Sequence, residues 1–292
     1  MTRQRANVIL LACAAVWGFS YLFQKAAMAH IEPWLFVGAR AAVAACVLAP
    51  LAWWELRHTS KPHDHSFWPL AALAGVLFLA ASIVQQRGLV TASVTNTGFL
   101  TALYVVITPL LVWLVLARAP SPAVWGAVPL SFAGTWLLSG GGLSGLSGGD
   151  LLVLASSVLW AAHVVVLGMA APLARPLMLM AVQFAIVAVL GLGGAACLEP
   201  IDHAALGRAA IDILYVGVLS SALTYTLLLM MMRYTSPTEA VVIASSETIF
   251  AALGGYLVLG ERMSLMGACG GALILAAVLF VHLGPRRAAS SA

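Results

Sequence analysis

Apolar residues run along this chain in stretches of about twenty, separated by short polar, proline or glycine breaks. Read between those breaks, the pattern predicts helices near 7–29, 34–56, 67–89, 93–116, 121–139, 150–171, 176–197, 209–232, 237–259 and 264–284. At 1.5 Å per residue, about 20 apolar residues cover the roughly 30 Å hydrocarbon core of a bilayer. Lipid offers the backbone no hydrogen bonds, so such stretches satisfy themselves as helices. The expectation is an all-α membrane protein with ten transmembrane helices.

The pattern also repeats. At a shift of 143, Trp17 falls on Trp160, Pro33 on Pro176 and Arg40 on Gln183. At 144, Thr91 falls on Thr235, Arg118 on Arg262 and Gly126 on Gly270. The chain therefore divides into residues 1–143 and 144–292, five helices each, joined by the Gly- and Ser-rich linker Ser139 to Gly149. Five is odd, so the second unit enters the membrane from the opposite side and the two five-helix repeats are inverted. Inverted repeats are the usual construction of secondary transporters, whose halves exchange inward-open and outward-open shapes around a midplane site.

Composition agrees: 62% of the 292 residues are hydrophobic and 8% charged, against roughly 25% charged in a soluble domain. With the N-terminus inside, Arg3, Arg5, Arg57, Lys61, Arg118, Arg175, Arg233, Arg286 and Arg287 lie on the inner side, and Arg87, Arg208 and Arg262 on the outer. Nine against three predicts cytoplasmic termini. These cations stand singly or in pairs, so the net charge of +4 marks topology and not nucleic-acid binding. Cys13, Cys46, Cys197 and Cys269 sit in apolar runs without metal or disulfide spacing, and no metal or cofactor is expected. The N-terminus imitates a signal peptide, but its apolar run continues to Ala29, long enough to remain as the first span.

Polar groups inside the bilayer carry the candidate chemistry, because each is expensive there unless it faces a partner or a wet cavity. Glu247 lies near the midplane beside Ser245, with Leu103 at its place in the first repeat. Trp17, Ser20 and Gln24 share one face of the first helix, with Tyr21 and Lys25 flanking. Trp160 and His163 repeat that face on the sixth helix. Thr97, Thr101 and Tyr104 form a stripe on the fourth, Tyr225 lies on the eighth, and Gln85 near the outer end of the third. A shared central cavity would satisfy all of them, with Trp17 and Trp160 as walls. Against this, a lone Ser or Thr usually bonds its own helix, and His163 serves equally as a neutral packed histidine. Lys25 and Arg40 either snorkel to the outer interface or line the solute path. Pro109 would kink the fourth helix and act as a gate. Gly267 and Gly271 permit close helix approach within the fold or between two copies, so both a monomer and a homodimer stay open.

These residues resemble the EamA-type permeases of the drug/metabolite transporter superfamily. The likeness lies in Trp17-Gly18-Phe19-Ser20, in Pro33, Phe36 and Arg40, in Gly88 to Leu100 with Pro109, and in Glu247-Thr248 and Leu259-Gly260-Glu261-Arg262. It implies ten helices in two inverted halves in a bacterial inner (plasma) membrane and export of small metabolites. The closest likeness is to exporters of aromatic and other neutral amino acids. Two departures stand out: Thr248 replaces the proline that often follows the glutamate, and Ala117 replaces a glutamate that often precedes Arg118. A nucleotide-sugar or phosphate-ester exchanger is the alternative within the superfamily, disfavoured by the shortage of buried cations. From another class, an intramembrane serine hydrolase is suggested only by Gly145-Leu146-Ser147-Gly148-Gly149, in a loop where such matches arise by chance.

Overall fold

Helix is the only regular element among the residues described by the computed structural model, which are 2–58, 65–117, 122–138, 146–173, 175–232, 234, 243–244 and 246–283. The first half contains α1 (Arg3–Ala27), α2 (Pro33–His58), α3 (Phe67–Leu89), α4 (Val94–Thr101), α5 (Tyr104–Leu116) and α6 (Pro122–Leu138). The second contains α7 (Gly148–Ala170), α8 (Pro176–Leu198), the short α9 (His203–Arg208), α10 (Ala210–Leu214), α11 (Thr224–Met231), α12 (Glu247–Leu259) and α13 (Leu265–Leu283). A π-helix, Tyr215–Leu223, joins α10 to α11. Among the described residues seven helices are long and apolar enough to cross a membrane, and Glu247–Leu259 and Leu265–Ala277 are shorter apolar helices. Large apolar side chains such as Leu114, Phe132, Val189, Ile211 and Leu265 stand exposed, as a lipid-facing surface requires. Trp53, Trp54, Trp68 and Trp125 are exposed near helix ends, where an aromatic belt belongs.

Several expectations fall outside the described residues: the linker residues 139–145, the start of the ninth predicted span at 237–242, Ser245, and the cations Lys61, Arg118, Arg233, Arg286 and Arg287. Within them, the fourth predicted helix is two helices. The chain tightens at Ala102–Leu103, where Leu103 N–H donates to Leu100 O and Val106 N–H to Leu103 O. The same break occurs 143 residues later, where Ser246 N–H donates to Ile243 O and Ile249 N–H to Ser246 O. Ala252 occupies the place equivalent to Pro109, so a break shared by both repeats does not come from the proline. Pro109 itself lies inside α5, beyond the break.

Helix ends are closed by side chains. Ser147 and Asp150 form a reciprocal capping box at the start of α7, with Ser147 Oγ donating to Asp150 Oδ2 at 2.8 Å and accepting from Asp150 N at 3.0 Å. The serine of the Gly-x-Ser-x-Gly match is thus a helix cap. Lys25 Nζ donates to the carbonyls of Leu89, Val90 and Ala92 at 2.7–2.9 Å, closing the end of α3. Glu261 accepts from Val94 N, Thr95 N and Thr95 Oγ1 at 2.6–2.9 Å, closing the start of α4. The first repeat has Ala117 and Arg118 at the corresponding positions and therefore no such carboxylate.

The central pair is α2 and α8, which run antiparallel and clasp each other at both ends. Glu199, after α8, accepts from Trp34 N and Leu35 N at 2.8 Å each, while Glu55, late in α2, accepts from Leu177 N and Met178 N at 3.4 and 2.8 Å. Between these clasps the backbones touch: a Cβ on Gly38 would lie 2.6 Å from Leu192 N, so only glycine fits there. Charged hydrogen bonds of this kind contribute about 1.5–3 kcal/mol. Glu55→Gln and Glu199→Gln should each cost stability of that order, read as a lower thermal unfolding midpoint in detergent, whereas Arg208→Ala, which removes an exposed 3.8 Å ion pair to Asp202, should leave the midpoint nearly unchanged.

Candidate functional site

Helices from both halves meet around a cavity of about 60 Å³, room for only a few waters in this conformation. Its lining comes from α1 (Trp17, Ser20, Tyr21, Gln24), α2 (Arg40), α3 (Gln85), the α4–α5 break (Thr101, Tyr104), α7 (Trp160, His163, Val164), the π-helix and α11 (Ser220, Tyr225, Leu228), and the α12 start (Ala244, Glu247). Gly18 makes the meeting of α1 and α12 feasible. A Cβ there would stand 2.4 Å from Glu247 O and 2.5 Å from Phe250 Cβ.

One wall is aromatic. Trp17 and Tyr225 rings lie 5.0 Å apart, Trp160 and Tyr225 stack at 6.2 Å, and Phe78 meets Trp160 and Tyr225 edge-on at 5.1 Å behind them. Trp17 is oriented by its Nε1–H, which donates to Ser220 O at 2.9 Å. That carbonyl lies within the π-helix, where the i→i+4 ladder is interrupted, and Thr224 Oγ1 donates to it as well. Trp160 Nε1 has no partner among the described residues.

Opposite lies a polar corner. Gln85 Nε2 donates to Thr101 Oγ1 at 2.8 Å, and the Tyr21 hydroxyl sits within hydrogen-bonding reach of Thr101, Gln85 and the Glu247 carboxylate. Glu247 opens α12, where the helix N-terminus favours a negative charge. Along α1, Gln24 Nε2 donates to Ser20 Oγ, which donates to Trp17 O. His163 Nε2 faces Gln183 Oε1 at 2.9 Å, leaving Nδ1 without a partner among the described residues. Arg40 reaches in from α2, bonded to Ser82 Oγ at 2.9 Å and resting over Phe36 and Phe78.

Of the residues expected from sequence, Trp17, Ser20, Gln24, Gln85, Thr101, Tyr104, Trp160, His163, Tyr225 and Glu247 all line this cavity. Thr97 does not: its hydroxyl donates to Ser93 O within α4, one turn away from the lining. Ser245 lies outside the described residues. Lys25 is spent on the α3 carbonyls, while Arg40 lines the cavity, so the two cations part company. Thr108, Ser156 and Ser157 each donate to a carbonyl of their own helix, as solitary hydroxyls do, and Thr226 donates back to Ala222 O in the π-helix.

The lining also corrects the repeat register at Glu247. Its counterpart is Tyr104, 143 residues earlier, and not Leu103, which packs in a separate apolar cluster with Phe99 and Ile274. At that shift the lining falls into pairs: Trp17 with Trp160, Ser20 with His163, Tyr21 with Val164, Gln85 with Leu228, Thr101 with Ala244, and Tyr104 with Glu247. In three of them the first-half member is polar and the second-half member apolar. Twelve of the sixteen lining residues thus follow one plan used twice, and at three of the six paired positions only the first-half member is polar. Val164, Leu228 and Ala244 carry no polar signal of their own; adding 143 to Tyr21, Gln85 and Thr101 would have found them.

Comparison with known proteins agrees with this duplication. A model of the EamA-like transporter family matches residues 4–140 and again 147–283, stretches that begin 143 residues apart. A protein of Archaeoglobus fulgidus named "uncharacterized transporter" is 28% identical over 282 residues, covering 96% of this chain and 87% of the relative. The Bacillus subtilis "uncharacterized transporter YwfM" is 26% identical over 291 residues, covering 96% and 95%. A solved crystal structure 18% identical in sequence shares the fold with a TM-score of 0.70 over 97% of this chain and 98% of the other.

Gly18→Ala should cost about 1–3 kcal/mol of stability and loosen Trp17, read as a lower melting midpoint together with greater quenching of tryptophan fluorescence. Gly193→Ala, in open space on α8, should be neutral or slightly stabilising.

Proposed function

Because the chain belongs to the EamA-like transporter family, we propose that it is a secondary transporter that exports small organic metabolites, aromatic and other neutral amino acids foremost, by alternating access around the central cavity. The observation that carries this reading is the midspan chamber walled by Trp17, Trp160 and Tyr225 and edged by amide and hydroxyl groups, a surface suited to an amphipathic or aromatic solute.

The architecture of the proposal is ten spans in two inverted halves, 1–143 and 144–292. Support comes from the family model matching twice at that spacing, from equivalent helices α2 and α8 running antiparallel, and from cavity residues paired across the repeats. Nine inner against three outer cations supports cytoplasmic termini in a bacterial inner membrane. Export of phosphorylated solutes is disfavoured, because Arg40 is the sole Lys or Arg among the described lining residues.

Purified protein in liposomes should pass labelled L-phenylalanine or L-tryptophan. Trp17→Ala and Trp160→Ala should each lower that flux about tenfold or more, equivalent to about 1.4 kcal/mol, while remaining monodisperse. Folded variants with undiminished flux would refute the cavity wall.

A further inference from the structure

Two side chains of opposite charge line the cavity, and neither has a counter-ion among the described residues. Arg40 is 5% exposed, has one hydroxyl partner in Ser82, and keeps its Nε without any. Glu247, also 5% exposed, is approached by the Tyr21 hydroxyl and by no cation. They do not neutralise each other, since no ion pair within 4.0 Å joins them. Each buried charge is costly in a membrane, and each borders the cavity, where an occupant can compensate it.

With both groups ionised the pair carries no net charge, which limits the occupant. A phosphate ester would complement Arg40 and set a second anion against Glu247. A simple amine would do the reverse and leave Arg40 facing a cation. A solute with one ammonium and one carboxylate satisfies both. A guanidinium with Nε unengaged has the fork that a carboxylate accepts. An ammonium has three donors and finds the Glu247 carboxylate, with the unpartnered Gln24 Oε1 one helical turn from Tyr21 as a further acceptor.

We propose that Arg40 and Glu247 bind the two poles of a zwitterionic amino acid, guanidinium to α-carboxylate and carboxylate to α-ammonium, with the substrate side chain against Trp17 and Trp160. The assignment rests on the transport reading above and adds to it the residues that recognise the amino-acid backbone. It also separates the roles of the two repeats: the first supplies the cation, and the second the anion.

The test uses L-phenylalanine beside its two single-pole analogues, phenethylamine and 3-phenylpropionate, with both liposome flux and ligand-induced thermal stabilisation of the purified protein. In the wild type each analogue should bind on the order of 100-fold more weakly than phenylalanine, because each leaves one buried charge unmet. Arg40→Gln should lose phenylalanine and accept phenethylamine in its place. Glu247→Gln should lose phenylalanine and accept 3-phenylpropionate. Such opposite gains cannot come from misfolding, and if either variant fails to fold, the wild-type comparison decides alone. Analogues that stabilise the wild type as well as phenylalanine does would overturn the proposal while phenylalanine flux upholds the transport reading. Phenylalanine that stabilises the protein with both poles required but without flux would uphold the site and overturn transport. Neither stabilisation nor flux with phenylalanine would overturn both.

Discussion

Hydrocarbon gives a peptide group nothing to bond to, so wherever this chain leaves regular helix inside the bilayer something must take up the freed N–H and C=O groups. The structure does this with side chains. Glu55, Glu199 and Glu261 collect the first N–H groups of α8, α2 and α4, and Lys25 collects the last carbonyls of α3. Three irregularities among the described residues, the two breaks at 102–103 and 246 and the π-helix at Tyr215–Leu223, border the cavity. Irregular backbone is tolerated where it is buried in protein or lines a hollow. Here it also aims the hollow's chemistry, since Tyr104 and Glu247 begin helices at the breaks and Ser220 holds the Trp17 indole.

Duplication explains why the scaffold is nearly symmetric while the site is not. Glu55 and Glu199 perform one job at opposite ends of the α2–α8 pair, and the breaks recur at the same step in each half. Side chains facing the cavity are free of that structural duty and have diverged: Tyr21, Gln85 and Thr101 in the first half correspond to Val164, Leu228 and Ala244 in the second. The Glu261 clasp is also unmatched, because the residue 143 positions earlier is Arg118 and not a carboxylate. Evidently the packing frame needs its symmetry more than the cavity does, and a lone carboxylate or guanidinium can be placed without disturbing it.

Much was legible in the chain itself. Lipid sets the length of every span and the scarcity of charge, so helices appear in each stretch the apolar pattern marks, and mid-span Trp17, Trp160 and Glu247 stood out because polar and amphipathic groups there need a reason. Other features were not. Thr97 shares a stripe with Thr101, yet its hydroxyl turns back on α4, since helical spacing fixes a face but not which turn reaches the cavity. Nothing near Glu55 or Glu199 in the chain names their partners, which lie 122 and 165 residues away.

What the sequence alone determined is what depends on the chain and its solvent: helical spans, their division into two similar units, and the few residues too costly to leave facing lipid. Tertiary structure decided what depends on rotation and register between helices. It sent Lys25 to a helix end and Arg40 to the cavity, matched Glu247 with Tyr104, and brought apolar Val164, Leu228 and Ala244 into a site no local signal would assign them. The physical reason is that solvent exclusion acts on each residue separately, whereas a binding surface exists only once distant helices have packed.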